Sequence, residues 1–136
     1  MAECNLQPYR ILVVEDEYML ADELQSELSD AGAVVLGPVG RLDRAVDLVG
    51  REQRIDGAIL DINLGGEMVY PVADLLMSRG TPFVFTTGYD PSAIPSRYDH
   101  IARWEKPVSM TKVARSIART IRDRNRQAGR ASGSGA

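Results

Sequence analysis

The chain has 136 residues, of which 44% are hydrophobic and 26% charged, with a formal net charge of −3. That is about one domain's length, and the slight acidity offers no general attraction to nucleic acid or an anionic membrane. No stretch approaches the roughly 20 apolar residues that cross a bilayer, and the single Cys4 excludes an internal disulfide or a multi-cysteine metal site.

The first ten residues, MAECNLQPYR, lack the apolar run of a secretory leader, so the cytoplasm is the expected location and residues 1–7 are read as an extension. A β-branched run at Ile11–Val14 then reads as a strand. Leu20, Leu24, Leu28 and Ala31 follow at helical spacing, with Gly32 as the stop. The second strand run is Val34–Leu36, followed by a helix marked by Leu42, Ala45, Val46 and Val49 and ended by Gly50. Ala58–Leu60 is the third run; Val72, Ala73, Leu75 and Leu76 give the next helix, ended by Gly80. Phe83–Phe85 is the fourth run, and a weaker fifth lies near Ile101–Trp104.

Between those last two, Asp90–His100 carries Pro91 and Pro95 and little periodicity, so at most a short turn of helix is expected in what should be the loosest element. Met110, Val113, Ala114, Ile117 and Ile121 form the stripe of a final helix. Residues 125–136 turn to Ala, Gly and Ser, the composition of a disordered tail, which leaves 8–124 as the folded domain. Strands alternating with helices predict an α/β fold around a parallel sheet.

In such a sheet, ligands bind beyond the carboxyl ends of the strands. Strand one there ends in Glu15 and Asp16, strand three in Asp61, strand four in Thr86 and Thr87, and strand five runs into Lys106–Pro107. Each acid alone reads as a solvated loop residue or helix cap; jointly they bring three carboxylates, a hydroxyl and an ammonium to one crevice. Crowded carboxylates repel unless a cation sits among them, and magnesium takes oxygen ligands while keeping several waters. Two carboxylates and a backbone carbonyl after Asp61 would suffice for it. Asp61 could then attack phosphorus as a nucleophile, with Lys106 and a threonine hydroxyl on the phosphoryl oxygens.

Four segments carry a resemblance: VVEDE at Val13–Glu17, LDINL at Leu60–Leu64, TTGYD at Thr86–Asp90 and EKP at Glu105–Pro107. In order and spacing they resemble the receiver domains of two-component response regulators. The resemblance implies a flavodoxin-like (βα)5 doubly wound sheet with strand order 2-1-3-4-5. It implies Mg2+ or Mn2+ on Glu15, Asp16, Asp61 and the Asn63 carbonyl, with Asp61 as phosphoacceptor, Thr87 as switch hydroxyl and Lys106 pairing with phosphate before a cis Lys-Pro bond. The implied partners are a sensor histidine kinase or histidine phosphotransfer protein and a downstream protein, with no nucleic acid or membrane. No enzyme activity is implied beyond the domain's own phosphoryl transfer and dephosphorylation. More narrowly, PFVFTTGYD at Pro82–Asp90 resembles the FAT GUY receivers of alphaproteobacterial stress signalling, with Thr86 in place of the usual Ala. Arg103 stands where receivers carry a switching aromatic, three residues before the lysine; the neighbouring Trp104 would face the opposite side of its strand and reads as core under the last helix.

The remaining features have plain structural readings. Lys112, Arg115, Arg119, Arg122, Arg124 and Arg126 form a basic helix face, His100 has no second histidine or cysteine near it, and Gly65–Gly66 let backbone approach the site. A haloacid-dehalogenase-like phosphohydrolase also uses a strand-end aspartate, but wants an acid where Asn63 stands and has a cap domain. A pseudo-receiver that binds partners without phosphorylation is the other alternative, favoured by Arg103 and opposed by the intact acid, threonine and lysine set.

Overall fold

The computed structural model describes residues 5–88 and 94–134, with side chains for 5–88 and 94–128. Readings that fall on Cys4, Tyr89, Asp90 and Pro91 lie outside these residues. In chain order the elements are β1 (Arg10–Val14), α1 (Tyr18–Asp30), β2 (Val34–Val39), α2 (Leu42–Arg51), β3 (Gly57–Asp61), β4 (Asn63–Leu64), β5 (Glu67–Met68), α3 (Tyr70–Ser78) and β6 (Phe83–Thr87). A 3-10 turn at Ser96–Tyr98, β7 (Arg103–Glu105) and α4 (Met110–Ser134) complete the chain. Among the described residues no helix is long and apolar enough to cross a membrane.

The five long strands form one parallel sheet in the order β2-β1-β3-β6-β7. With the short β4–β5 pair set aside, this is the expected 2-1-3-4-5 arrangement. Successive strand residues face opposite sides. Leu12, Leu60 and Phe85 pack with Ala45, Val49, Val72 and Leu76 of α2 and α3 on one face. Ile11, Val13, Ile59 and Val84 pack with Leu24 and Leu28 of α1 and Val113, Ile117 and Ile121 of α4 on the other. Trp104 is partly buried against this second cluster, as its strand position predicts. The central strands β3 and β6 are buried along their whole length, so their carboxyl ends are held rigidly.

Three local departures from expectation have physical causes. Gly50 does not end α2, which runs on to Arg51; the Arg79 guanidinium donates to the Val49, Glu52 and Gln53 carbonyls at 2.6, 2.7 and 2.9 Å, so the helix end needs no glycine to satisfy it. Residues 63–68 form an antiparallel hairpin, closed by Gly65 and Gly66 at φ of +62° and +101°, a backbone that side chains rarely adopt. The last helix continues to Ser134, through the stretch expected to be a disordered tail. Its buried stripe stops at Ile121, and beyond it Arg, Gln and Ala are good helix formers with no proline to interrupt them.

Within the expected loose segment the described residues 94–100 hold one 3-10 turn, directly after Pro95, and it is firmly anchored. Tyr98 is fully buried, stacked on Tyr70 at 5.2 Å and edge-on to Phe85 at 5.4 Å. Its hydroxyl donates to Asp74 of α3, which also pairs with Arg97 at 3.0 and 3.1 Å.

Candidate functional site

The site lies where parallel strands β1, β3 and β6 end together. β1 delivers Glu15 and Asp16 and β3 ends in Asp61; one carboxylate oxygen from each of the three lies within 4.8 Å of the others. Glu15 and Asp61 are buried while Asp16 is exposed. Lys106, just beyond β7, reaches across the sheet end: its Nζ lies 3.0 Å from Glu15 and 3.1 Å from Asp61. It also lies 3.2 Å from Glu17. Asp16, Glu17, Asp61, Asn63 and Lys106 line a cavity of about 260 Å³ together with Gly65, Gly66 and Gly88. The hairpin glycines thus bring backbone to the edge of the acidic cluster, as their sequence position suggested.

Asn63 is held in this cavity by local bonds. Its backbone N–H donates to Asp61 Oδ1 at 3.3 Å, and its side-chain oxygen accepts from the Gly66 N–H at 2.6 Å. Thr87 is buried at the end of β6, and its carbonyl accepts the Lys106 N–H at 2.8 Å. The Lys106–Pro107 bond is cis. Thr86 is buried as well, with its hydroxyl lacking a hydrogen-bond partner. Glu15, Asp16, Asp61, Asn63, Thr87 and Lys106 therefore lie at one end of the sheet, with Glu15 and Asp61 in direct contact with the Lys106 ammonium.

Electrostatically the site is overloaded with negative charge. Burial, the hydrogen bond and charge of Glu15, and Asp16 together push the Asp61 carboxyl from 3.8 up to about 8, although Lys106 pulls the other way. Burial works against the Lys106 ammonium, but Glu15 and Asp61 hold its pKa above the ordinary lysine value. One ammonium cannot neutralise four neighbouring carboxylates. The donor set consists of hard oxygens, which suits a hard divalent cation and not a soft one. Glu15, Asp16 and Asp61 thus form a group that could hold a metal ion.

Sequence reasoning passed over Glu17, although it is the third acid of the VVEDE segment and contacts Lys106. It also missed the Tyr98–Asp74–Arg97 cluster, for which no local pattern exists: the partners are more than twenty residues apart. Arg103 is partly buried on β7, and its charge, with that of Arg97, opposes the burial that raises the Tyr70 hydroxyl above its ordinary pKa.

No protein-family model and no curated protein matches the chain. Solved structures do, and they define the class: a signalling receiver domain. SdrG from Sphingomonas melonis Fr1 is 35% identical, with a TM-score of 0.71 over 89% of this chain and 98% of that one. The BeF3-activated conformation of SdrG from Pseudomonas melonis Fr1 is 36% identical, with a TM-score of 0.65 over 87% and 97%. A response regulator receiver protein from Sinorhizobium medicae WSM419 shares the fold at 22% identity, with a TM-score of 0.74 over 88% and 99%. The chain belongs to the response-regulator receiver family and is a receiver domain of two-component signalling.

Proposed function

We propose that this receiver is phosphorylated on Asp61 in the presence of Mg2+, or Mn2+ in its place, and signals through protein contacts. The observation that carries the reading is the convergence of Asp16, Asp61 and Lys106 on one cavity at the carboxyl end of the sheet, with Glu15 buried beside them. Glu15, Asp16, Asp61 and the Asn63 carbonyl would hold the cation, which would screen negative charge from an incoming phosphoryl group.

Within the chain, Asp61 supplies the nucleophilic oxygen. Forming its bond to phosphorus needs the carboxylate, and burial with Glu15 pushes the carboxyl up to about 8; a divalent cation held by Glu15, Asp16 and Asp61 would supply the positive charge that favours the carboxylate. Lys106 would pair with a phosphoryl oxygen, and Thr87 would offer its hydroxyl. The donor would be a sensor histidine kinase or a histidine phosphotransfer protein, and the setting the cytoplasm. The PFVFTTGYD segment supports a stress-response role, because it resembles the FAT GUY receivers. The BeF3-activated form of the SdrG relative lends further support. Incubation with Mg2+ and a small phosphodonor, followed by intact-mass measurement, tests the reading: wild type gains one phosphoryl group and Asp61→Asn gains none. Rapid turnover of phosphomonoesters would favour a phosphohydrolase instead, and absence of labelling a pseudo-receiver.

A further inference from the structure

Glu17 has no part in the proposed function, yet its carboxylate is the third one on Lys106. The three are not equivalent. The side chains of Glu15 and Asp61 are each 5% exposed, whereas that of Glu17 is 58% exposed. Glu15 and Asp61 are sealed against the ammonium, and drawing either away would leave buried polar groups without a partner, a costly outcome. Glu17 can turn into water at little cost. It is also tethered to the site, because its backbone N–H donates to Glu15 Oε2 at 3.0 Å and its residue lines the cavity.

We infer that Glu17 is a specificity-determining residue that sets which charge of phosphodonor the site accepts, occupying Lys106 until a phosphoryl oxygen displaces it and standing as a negative charge at the cavity. The inference rests on the reading of Asp61 as phosphoacceptor. In the transfer, an Asp61 carboxylate oxygen bonds to phosphorus while the bond from phosphorus to the donor's leaving atom breaks. From acetyl phosphate, acetate departs with the electron pair. From phosphoramidate, whose nitrogen already carries three protons in its zwitterion, neutral ammonia departs. Acetyl phosphate approaches Glu17 as a dianion, phosphoramidate with a single net negative charge. The donor that Glu17 favours is therefore one of low negative charge, or a protein that brings its own lysine or arginine to this acid.

The test compares wild type with Glu17→Gln, which keeps the side chain's shape and removes its charge. Phosphorylation rates are measured with Mg2+ and each donor, at low and at high salt. An exposed pair of this kind corresponds to roughly a 1.4- to 5-fold effect. Glu17→Gln is expected to react about three- to fivefold faster with acetyl phosphate and less than about twofold faster with phosphoramidate. The contrast should collapse in 1 M salt, where the screening length falls to about 3 Å. Unchanged rates, or equal acceleration with both donors, overturn the assignment of Glu17 while leaving Asp61 in place. Labelling of Asp61→Asn at the wild-type rate, or no labelling of wild type with either donor, overturns the parent reading and this inference with it.

Discussion

Asp61→Asn replaces a titratable carboxyl with a neutral amide of almost the same shape, and its effect on stability can be worked from the site. Burial and Glu15 raise the Asp61 carboxyl from 3.8 to about 8, so the folded chain retains a proton that the unfolded chain releases. Between those values the folded state binds more protons, and stability falls as pH rises. A pH of 7 lies about 3.2 above the unfolded value (7 minus 3.8) and still below the folded one, so at about 1.36 kcal/mol per pH unit the ceiling is about 4 kcal/mol. Relaxation and water entry around a coupled site reduce this to roughly 1–3 kcal/mol. Lys106 keeps Glu15 and Glu17 as partners in the variant, so no buried ammonium is stranded. Urea denaturation in EDTA from pH 5 to pH 8 is the assay. Asp61→Asn is expected to be the more stable chain at pH 7, with an advantage that shrinks toward pH 5 and is reduced by saturating Mg2+. A variant no more stable than wild type across that range would refute the account of the charge.

Other perturbations probe the neighbouring groups. Asp16→Ala should weaken divalent-metal binding at least about tenfold by calorimetric titration; unchanged affinity would place the cation elsewhere. Lys106→Met leaves Glu15 and Asp61 without their ammonium and should cost about 2–4 kcal/mol of metal-free stability by denaturant titration, a loss that added Mg2+ partly restores. Tyr98→Ala, which empties a fully buried ring site, should cost about 3–5 kcal/mol. Tyr98→Phe, which deletes the hydroxyl's bonds to Asp74 and to the Tyr70 carbonyl, should cost about 1 kcal/mol; equal costs would dismiss the distinction. Finally, a partner face is proposed from the segment after β6, β7 and α4, with Arg103 at its centre. Amide exchange with and without beryllofluoride should then change across residues 86–104, and unchanged protection there would refute it.

Much of the fold is legible because its signals are local. Leu24 and Leu28, or Val113 and Ile117, sit at helical spacing and are buried as that spacing requires. The site was legible for a related reason: a parallel sheet brings all its strand ends to one side, so Glu15, Asp61 and Lys106 meet although they are far apart in sequence. What escaped depended on distant or compensating contacts. Arg79, just past the end of α3, satisfies carbonyls at the end of α2, and Gly50 alone does not reveal that. Tyr98 looks like an isolated aromatic in a proline-rich stretch until Asp74 and Tyr70 are seen beneath it. Glu17 was visible as a third acid, but only its 3.2 Å approach to Lys106 gives it a role.

The central claim is that Asp61 becomes an acyl phosphate, and reductive trapping tests it most directly. Borohydride converts an aspartyl phosphate to homoserine, which peptide mass spectrometry locates in the chain. After treatment with Mg2+ and phosphoramidate, homoserine is predicted at position 61 and nowhere else, and it should disappear when EDTA replaces Mg2+. Homoserine at another aspartate, or none in a chain that carries phosphate, would contradict the assignment.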